Sequence, residues 1–173
     1  MKMKLSNYVA EFLVKNGIDT VFTVTGGGAM HLNDSLGHHP ELQSIYNHNE
    51  QGCAIAAEAY TRLSDKLAAV CVTSGPGGTN ALTGVLGGWL DSIPMFIISG
   101  QVKRETTTWA TDVPVRQIGD QEYQIVKSVE NMTKYAVMIT EPNEIAYHLE
   151  KALYLSENGR GGPVWLDIPL DVQ

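Results

Sequence analysis

Two short runs, residues 67–73 (LAAVCVT) and 95–99 (MFIIS), carry no charge and no alternation of polar with apolar residues. A strand with one wet face alternates, so runs like these read as parallel strands covered on both faces. Parallel neighbours need a crossover connection, usually a helix. The rest of the chain supplies such helices. Leu5, Val9, Phe12 and Leu13 recur at helical spacing, and Gly17 closes that element. A β-branched run from Thr20 to Val24 is broken by Gly26, Gly27 and Gly28, and a helix from Met30 to Leu36 follows. Residues 43–47 read as a strand and residues 50–63 as a helix rich in small side chains. Ser74-Gly75-Pro76-Gly77-Gly78 turns the 67–73 run into one helix reaching about Trp89.

Beyond the second buried run, residues 103–120 are polar, rich in Thr and without period, which predicts a surface loop. A helix at 121–128, a strand at 135–139, a helix at 143–157 and a strand at 163–168 complete the pattern. Strands alternating with helices predict a doubly wound α/β fold, with a mostly parallel sheet of about six strands and helices on both faces. No linker, repeat or low-complexity tract interrupts residues 1–173, so one domain is expected.

Composition narrows the partners. The formal net charge is -7, which disfavours nucleic acid or an anionic membrane as a binding surface. No stretch is apolar for the ~18 residues a membrane span needs, and residues 1–17 lack a signal-peptide core, so a cytoplasmic location is expected. Cys53 and Cys71 sit in apolar runs without Cys-x-x-Cys spacing and read as buried, reduced thiols. The five histidines have no metal-ligand spacing, so no metal site is assigned to this chain.

Ligands of open parallel sheets bind at the carboxyl ends of the strands. Three segments converge there: Thr25-Gly26-Gly27-Gly28, His48-Asn49-Glu50-Gln51, and the run from Thr73 to Asn80 (TSGPGGTN). Neither the Walker A nor the Rossmann phosphate motif is present, so the glycine turns suit a flat, mostly neutral ring better than a phosphate. Gly26-Gly27-Gly28 alone fits a simple tight turn equally well. Glu50 stands where a strand ends and a helix begins, beside Gly52 and Cys53, and is expected to be largely desolvated. A carboxyl so placed has a raised pKa and can share a proton with a ring nitrogen. An acid favoured by the helix dipole fits the same position. Glu58, about 80° further round the same helix, is expected to make a structural pair.

In order along the chain, these segments resemble the N-terminal, pyrimidine-binding domain of thiamine-diphosphate enzymes of the acetolactate synthase type. Val21-Phe22 through Gly27 resembles the family's V-F-G-V-P-G-G. Asn49-Glu50-Gln51-Gly52, with Ala56 to Tyr60, resembles H-E-Q-G…A-A-E-G-Y. TSGPGGTN resembles T-S-G-P-G-A-T-N, and Asp91-Ser92-Ile93-Pro94 with Ser99-Gly100-Gln101-Val102 resembles D-S-V-P…T-G-Q-V. Gly162-Pro163-Val164, with the run from Asp167 to Gln173, resembles G-P-V…D-I-P-x-D-V-Q. Asn49 stands where the family usually has His, and Thr25 where Pro is common.

The resemblance implies that Glu50 is the glutamate that hydrogen-bonds the aminopyrimidine nitrogen and so assists removal of the thiazolium proton. It implies cofactor contacts from Thr25, Gly26, Thr73, Pro76 and Asn80, and places Gln121 and Gly27 near the reacting centre. The implied cofactor is thiamine diphosphate, with Mg2+ held by a second domain bearing Gly-Asp-Gly, a motif absent from this chain, and with FAD left open. The implied reaction condenses 2-oxo acids such as pyruvate with decarboxylation, in a homodimer or tetramer. On this reading the chain is a fragment of a longer enzyme, inactive alone and weak in cofactor binding. Two alternatives stay open: a single-domain α subunit of a heteromeric 2-oxo acid decarboxylase of the sulfopyruvate type, and a non-catalytic binding domain. The length of the native reading frame separates the fragment from the subunit, and the retained Glu50 and TSGPGGTN argue against the binding domain.

Overall fold

The computed structural model describes residues 3–173. Met1 and Lys2, part of the segment read above as no signal peptide, lie outside them. The elements run α1 (Leu5–Lys15), β1 (Thr20–Thr23), α2 (Met30–His38), β2 (Gln43–Tyr46), α3 (Glu50–Ser64) and β3 (Ala69–Val72). They continue with α4 (Pro76–Asn80), α5 (Leu82–Asp91), β4 (Met95–Gln101), α6 (Ile125–Val129), β5 (Tyr135–Met138), α7 (Ile145–Glu157) and β6 (Pro163–Pro169). The strands form one sheet in the order β2-β1-β3-β4-β6-β5, with every pairing parallel. No described helix is long and apolar enough to cross a membrane.

The absence of alternation in the two founding runs has a direct cause. Along β4, Phe96 and Ile98 enter the core beneath α1, α2 and α7, while Met95 and Ile97 enter a second core beneath α3, α5 and α6. Both faces of the strand are dry, and every residue of it is buried. Cys71 belongs to the first core and Cys53 to the second. Burial pushes their thiols up to about 12 and about 11, so both stay protonated.

Three expectations need correction. The helix expected from Gly78 to Trp89 is two helices, α4 and α5, meeting at Ala81, since paired glycines weaken its first turns. The helix expected from residue 121 starts only at Ile125, because Gln121 takes a left-handed backbone (φ 57°). The loop at 103–120 holds two short 3-10 turns, and Thr107 within it is buried. Glu58 pairs as expected, with Arg62, which also reaches Asp91 at 2.7 Å. Trp165 is a core residue whose indole donates to Ser99 at 2.7 Å, whereas Trp109 is about half exposed.

Asp167 in β6 is 1% exposed. It accepts hydrogen bonds from the Ser99 hydroxyl at 2.6 Å and the Gln101 amide at 3.0 Å. Burial nevertheless pushes its carboxyl up to about 7. Between about pH 4 and pH 7 the folded chain keeps a proton that the unfolded chain has lost, so this group costs stability as the pH rises through that window. Asp167→Asn abolishes that slope but sets an amide donor against Gln101, a loss of about 1–3 kcal/mol. Thermal denaturation should show the D167N and parent stabilities converging from pH 4 to pH 7. Parallel curves would contradict this assignment.

Candidate functional site

The connection leaving β1 runs to β2 on one side, and the connection leaving β3 runs to β4 on the other. Between the carboxyl ends of β1 and β3 lies the crevice where the winding reverses, the preferred ligand position in such sheets. Thr73 occupies it. Its hydroxyl accepts a hydrogen bond from the Gly28 N–H at 3.1 Å. A Cβ on Gly26 would collide with the Thr73 side chain, and one on Gly77 would lie 2.7 Å from its methyl. Glycine at both positions is therefore what lets the turn after β1 and the helix after β3 close on one threonine. Asn33 of α2 latches the same turn, accepting from the Gly26 N–H and donating to the Thr23 hydroxyl, both at 3.2 Å.

Glu50 approaches from the neighbouring strand end. Asn49 caps α3, its side-chain oxygen accepting from the Gly52 N–H at 2.7 Å, which makes Glu50 the first residue of the helix. The carboxyl reaches across to α4, where Oε2 accepts from the Asn80 amide at 2.7 Å. Its Oε1 faces Gly77, 3.5 Å from where a Cβ would stand. Glu50 is only partly buried, so the expectation of a largely desolvated carboxyl is met only in part. Asn49 and Glu50 thus divide the work at this helix start, one capping it and the other leaning into the crevice.

Beside this cluster lies an open hollow of about 590 Å³ whose walls include Thr25, Gly26, Gly27, Thr73 and Gln121. The hollow brings five of the residues picked out in the sequence together. Glu50, Pro76 and Asn80 stand outside it and join it through Gly77 and Thr73. Pro76 is exposed at the first position of α4, where a missing N–H costs nothing. The Gln121 carbonyl packs against Gly75, whose positive φ of 54° a side chain would strain.

Two neighbours, Lys103 and Glu122, carry no motif and were not picked out, and Ser74 belongs to the TSGPGGTN run. Lys103 and Ser74 also line the hollow. Glu122 ties the loop into a ring, its carboxylate accepting from the Thr108 N–H at 2.5 Å and the Ile118 N–H at 2.9 Å. Among the described residues there is no group of three or more His, Cys, Asp or Glu able to hold a metal ion.

Comparison with known proteins gives the chain's relatives. The family model for the thiamine pyrophosphate enzyme, N-terminal TPP binding domain, matches residues 3–128. The chloroplastic acetolactate synthase of Arabidopsis thaliana is 34% identical, aligned over 98% of this chain and 24% of its own length. Acetolactate synthase 2, chloroplastic, of Zea mays is 35% identical over 98% of this chain and 25% of its own. The acetolactate synthase large subunit of Lactococcus lactis is 35% identical over 96% and 28%. The chain thus spans about a quarter of the length of these curated relatives.

The packing around the glycines separates neighbouring positions. Gly26→Ala forces a methyl into Thr73 and should cost about 1–3 kcal/mol. A Cβ at Gly27 meets nothing within 4 Å, so Gly27→Ala should stay within about 0.5 kcal/mol of the parent. Chemical denaturation of the two variants checks this, and equal losses would contradict the packing described.

Proposed function

Because this chain belongs to the thiamine pyrophosphate enzymes, as their N-terminal TPP binding domain, we propose that it forms the pyrimidine side of the cofactor site in an acetolactate-synthase-like enzyme. The observation that carries the reading is Glu50, held by Asn80 through one oxygen and turned toward the glycine-lined crevice with the other. Its residues fit a flat heterocycle. Glycine at 26 and 77 lets the Thr73 side chain pack down as a close wall of the open hollow, and Oε1 has no hydrogen-bond donor of this chain among the described residues.

When bound, thiamine diphosphate supplies the carbon centre for decarboxylation and for joining 2-oxo acids such as pyruvate. The chain's part is to position and to move a proton. Asn80 fixes the carboxyl from the side of Oε2, which leaves Oε1 to hydrogen-bond a ring nitrogen and exchange a proton with it. Thr25, Gly26 and Thr73 form the wall against the ring, and Gly27 and Gln121 face the reacting centre. The diphosphate and Mg2+, and FAD if the enzyme carries it, are assigned to the rest of the protein.

A homodimer or tetramer belongs to the same reading. Ile55 on α3 and Leu86 and Leu90 on α5 are apolar yet exposed, which supports an assembled state that also strips water from Glu50. A cytoplasmic location belongs to the same reading.

In the full-length holoenzyme, Glu50→Gln keeps an acceptor for Asn80 but cannot carry the proton. Pyruvate turnover should fall at least ~100-fold, within the range that general acid–base groups contribute, with little change in melting temperature. Turnover within a few-fold of the parent would remove Glu50 from the mechanism.

A further inference from the structure

Lys103 and Arg104 are adjacent cations with opposite commitments. The Arg104 guanidinium donates to Asp171 at 2.9 Å and to the Thr140 carbonyl at 2.6 Å. Lys103 has no carboxylate within ion-pairing distance among the described residues, and it lines the hollow that holds Gly26, Gly27 and Gln121. Its backbone is fixed. The Lys103 carbonyl accepts from both the N–H and the hydroxyl of Thr106, each at 2.9 Å, and the Glu122 clamp closes the loop beyond.

Other polar groups on these walls are also uncommitted. Among the described residues, neither the Ser74 hydroxyl, on a residue 6% exposed, nor the Gln121 amide makes a side-chain hydrogen bond within the chain. An ammonium, a hydroxyl and an amide are donors suited to a carboxylate. Asp120 on the same rim opposes any bound carboxylate, so Lys103 has to outweigh it and a second acid group is disfavoured further.

We propose that this wall is a carboxylate subsite, in which Lys103 takes the acid group of a small monocarboxylic 2-oxo acid with Ser74 and Gln121 as further donors. The proposal rests on the cofactor reading above and adds to it the group that recognises the substrate. It also explains why the cation stands at the mouth of the hollow, where it draws anions in from solvent.

The test uses the full-length holoenzyme with pyruvate as substrate and methyl pyruvate, which has no carboxylate to lose and so is not decarboxylated, as an uncharged competitive inhibitor. Lys103→Met should raise KM for pyruvate about tenfold, leaving kcat, thiamine diphosphate affinity and Ki for methyl pyruvate within twofold of the parent. Lys103→Arg should restore most of the pyruvate affinity. A K103M enzyme with parental KM for pyruvate, or with equal losses of pyruvate and methyl pyruvate binding, overturns the subsite. E50Q keeps the two readings apart: if that variant retains parental turnover, the cofactor reading falls. If E50Q is inactive while K103M matches the parent, only the subsite falls.

Discussion

Thr73 leaves the end of β3 with its side chain in the space that a Cβ at Gly26 or Gly77 would need. That close approach draws together three segments more than twenty residues apart in the chain. The turn after β1 docks on the threonine hydroxyl through Gly28. The start of α4 slides beneath its methyl, and α4 in turn carries Asn80 to Glu50. Interiors are packed too densely to absorb an added methyl there, so the sheet edge has one workable arrangement. The crevice at the reversal of winding is the result.

Glu50 draws its usefulness from asymmetry. One carboxylate oxygen is occupied by a neutral amide, which orients the group without cancelling its charge. The other looks over bare glycine backbone. Asn49 takes over the capping of α3, which frees the acid from that duty. A carboxyl partly open to water is a modest proton-transfer group, and it strengthens as water leaves its surroundings. The exposed apolar faces of α3 and α5 support an assembly that would provide this drying.

The fold was legible wherever burial imposed a local pattern. The runs ending at Val72 and beginning at Met95 declare themselves because both faces are covered, and α1 declares itself through Leu5, Val9, Phe12 and Leu13. The break at Ala81 was not legible, because a turn inside a glycine-rich helical stretch leaves the hydrophobic period unchanged. Nor was the left-handed Gln121, whose conformation is set by packing against Gly75, far away in sequence. Glycine motifs and resemblance pointed to Gly26, Glu50, Thr73 and Asn80. The Glu122 clamp escaped, because its partners are backbone N–H groups that carry no residue identity. The burial of Glu50 was overestimated for a related reason, since exposure depends on what covers the sheet edge and not on the neighbours Gly52 and Cys53 alone.

The central claim is that the free oxygen of Glu50 meets a nitrogen of the cofactor's pyrimidine ring across the Thr73 crevice. An experimental structure of the full-length enzyme with thiamine diphosphate bound measures that separation directly. The expected distance is about 2.6–3.2 Å, with the Asn80 contact retained on the other oxygen. A ring seated away from the crevice, or a Glu50 side chain turned to solvent with no ring nitrogen in hydrogen-bonding reach, would contradict it.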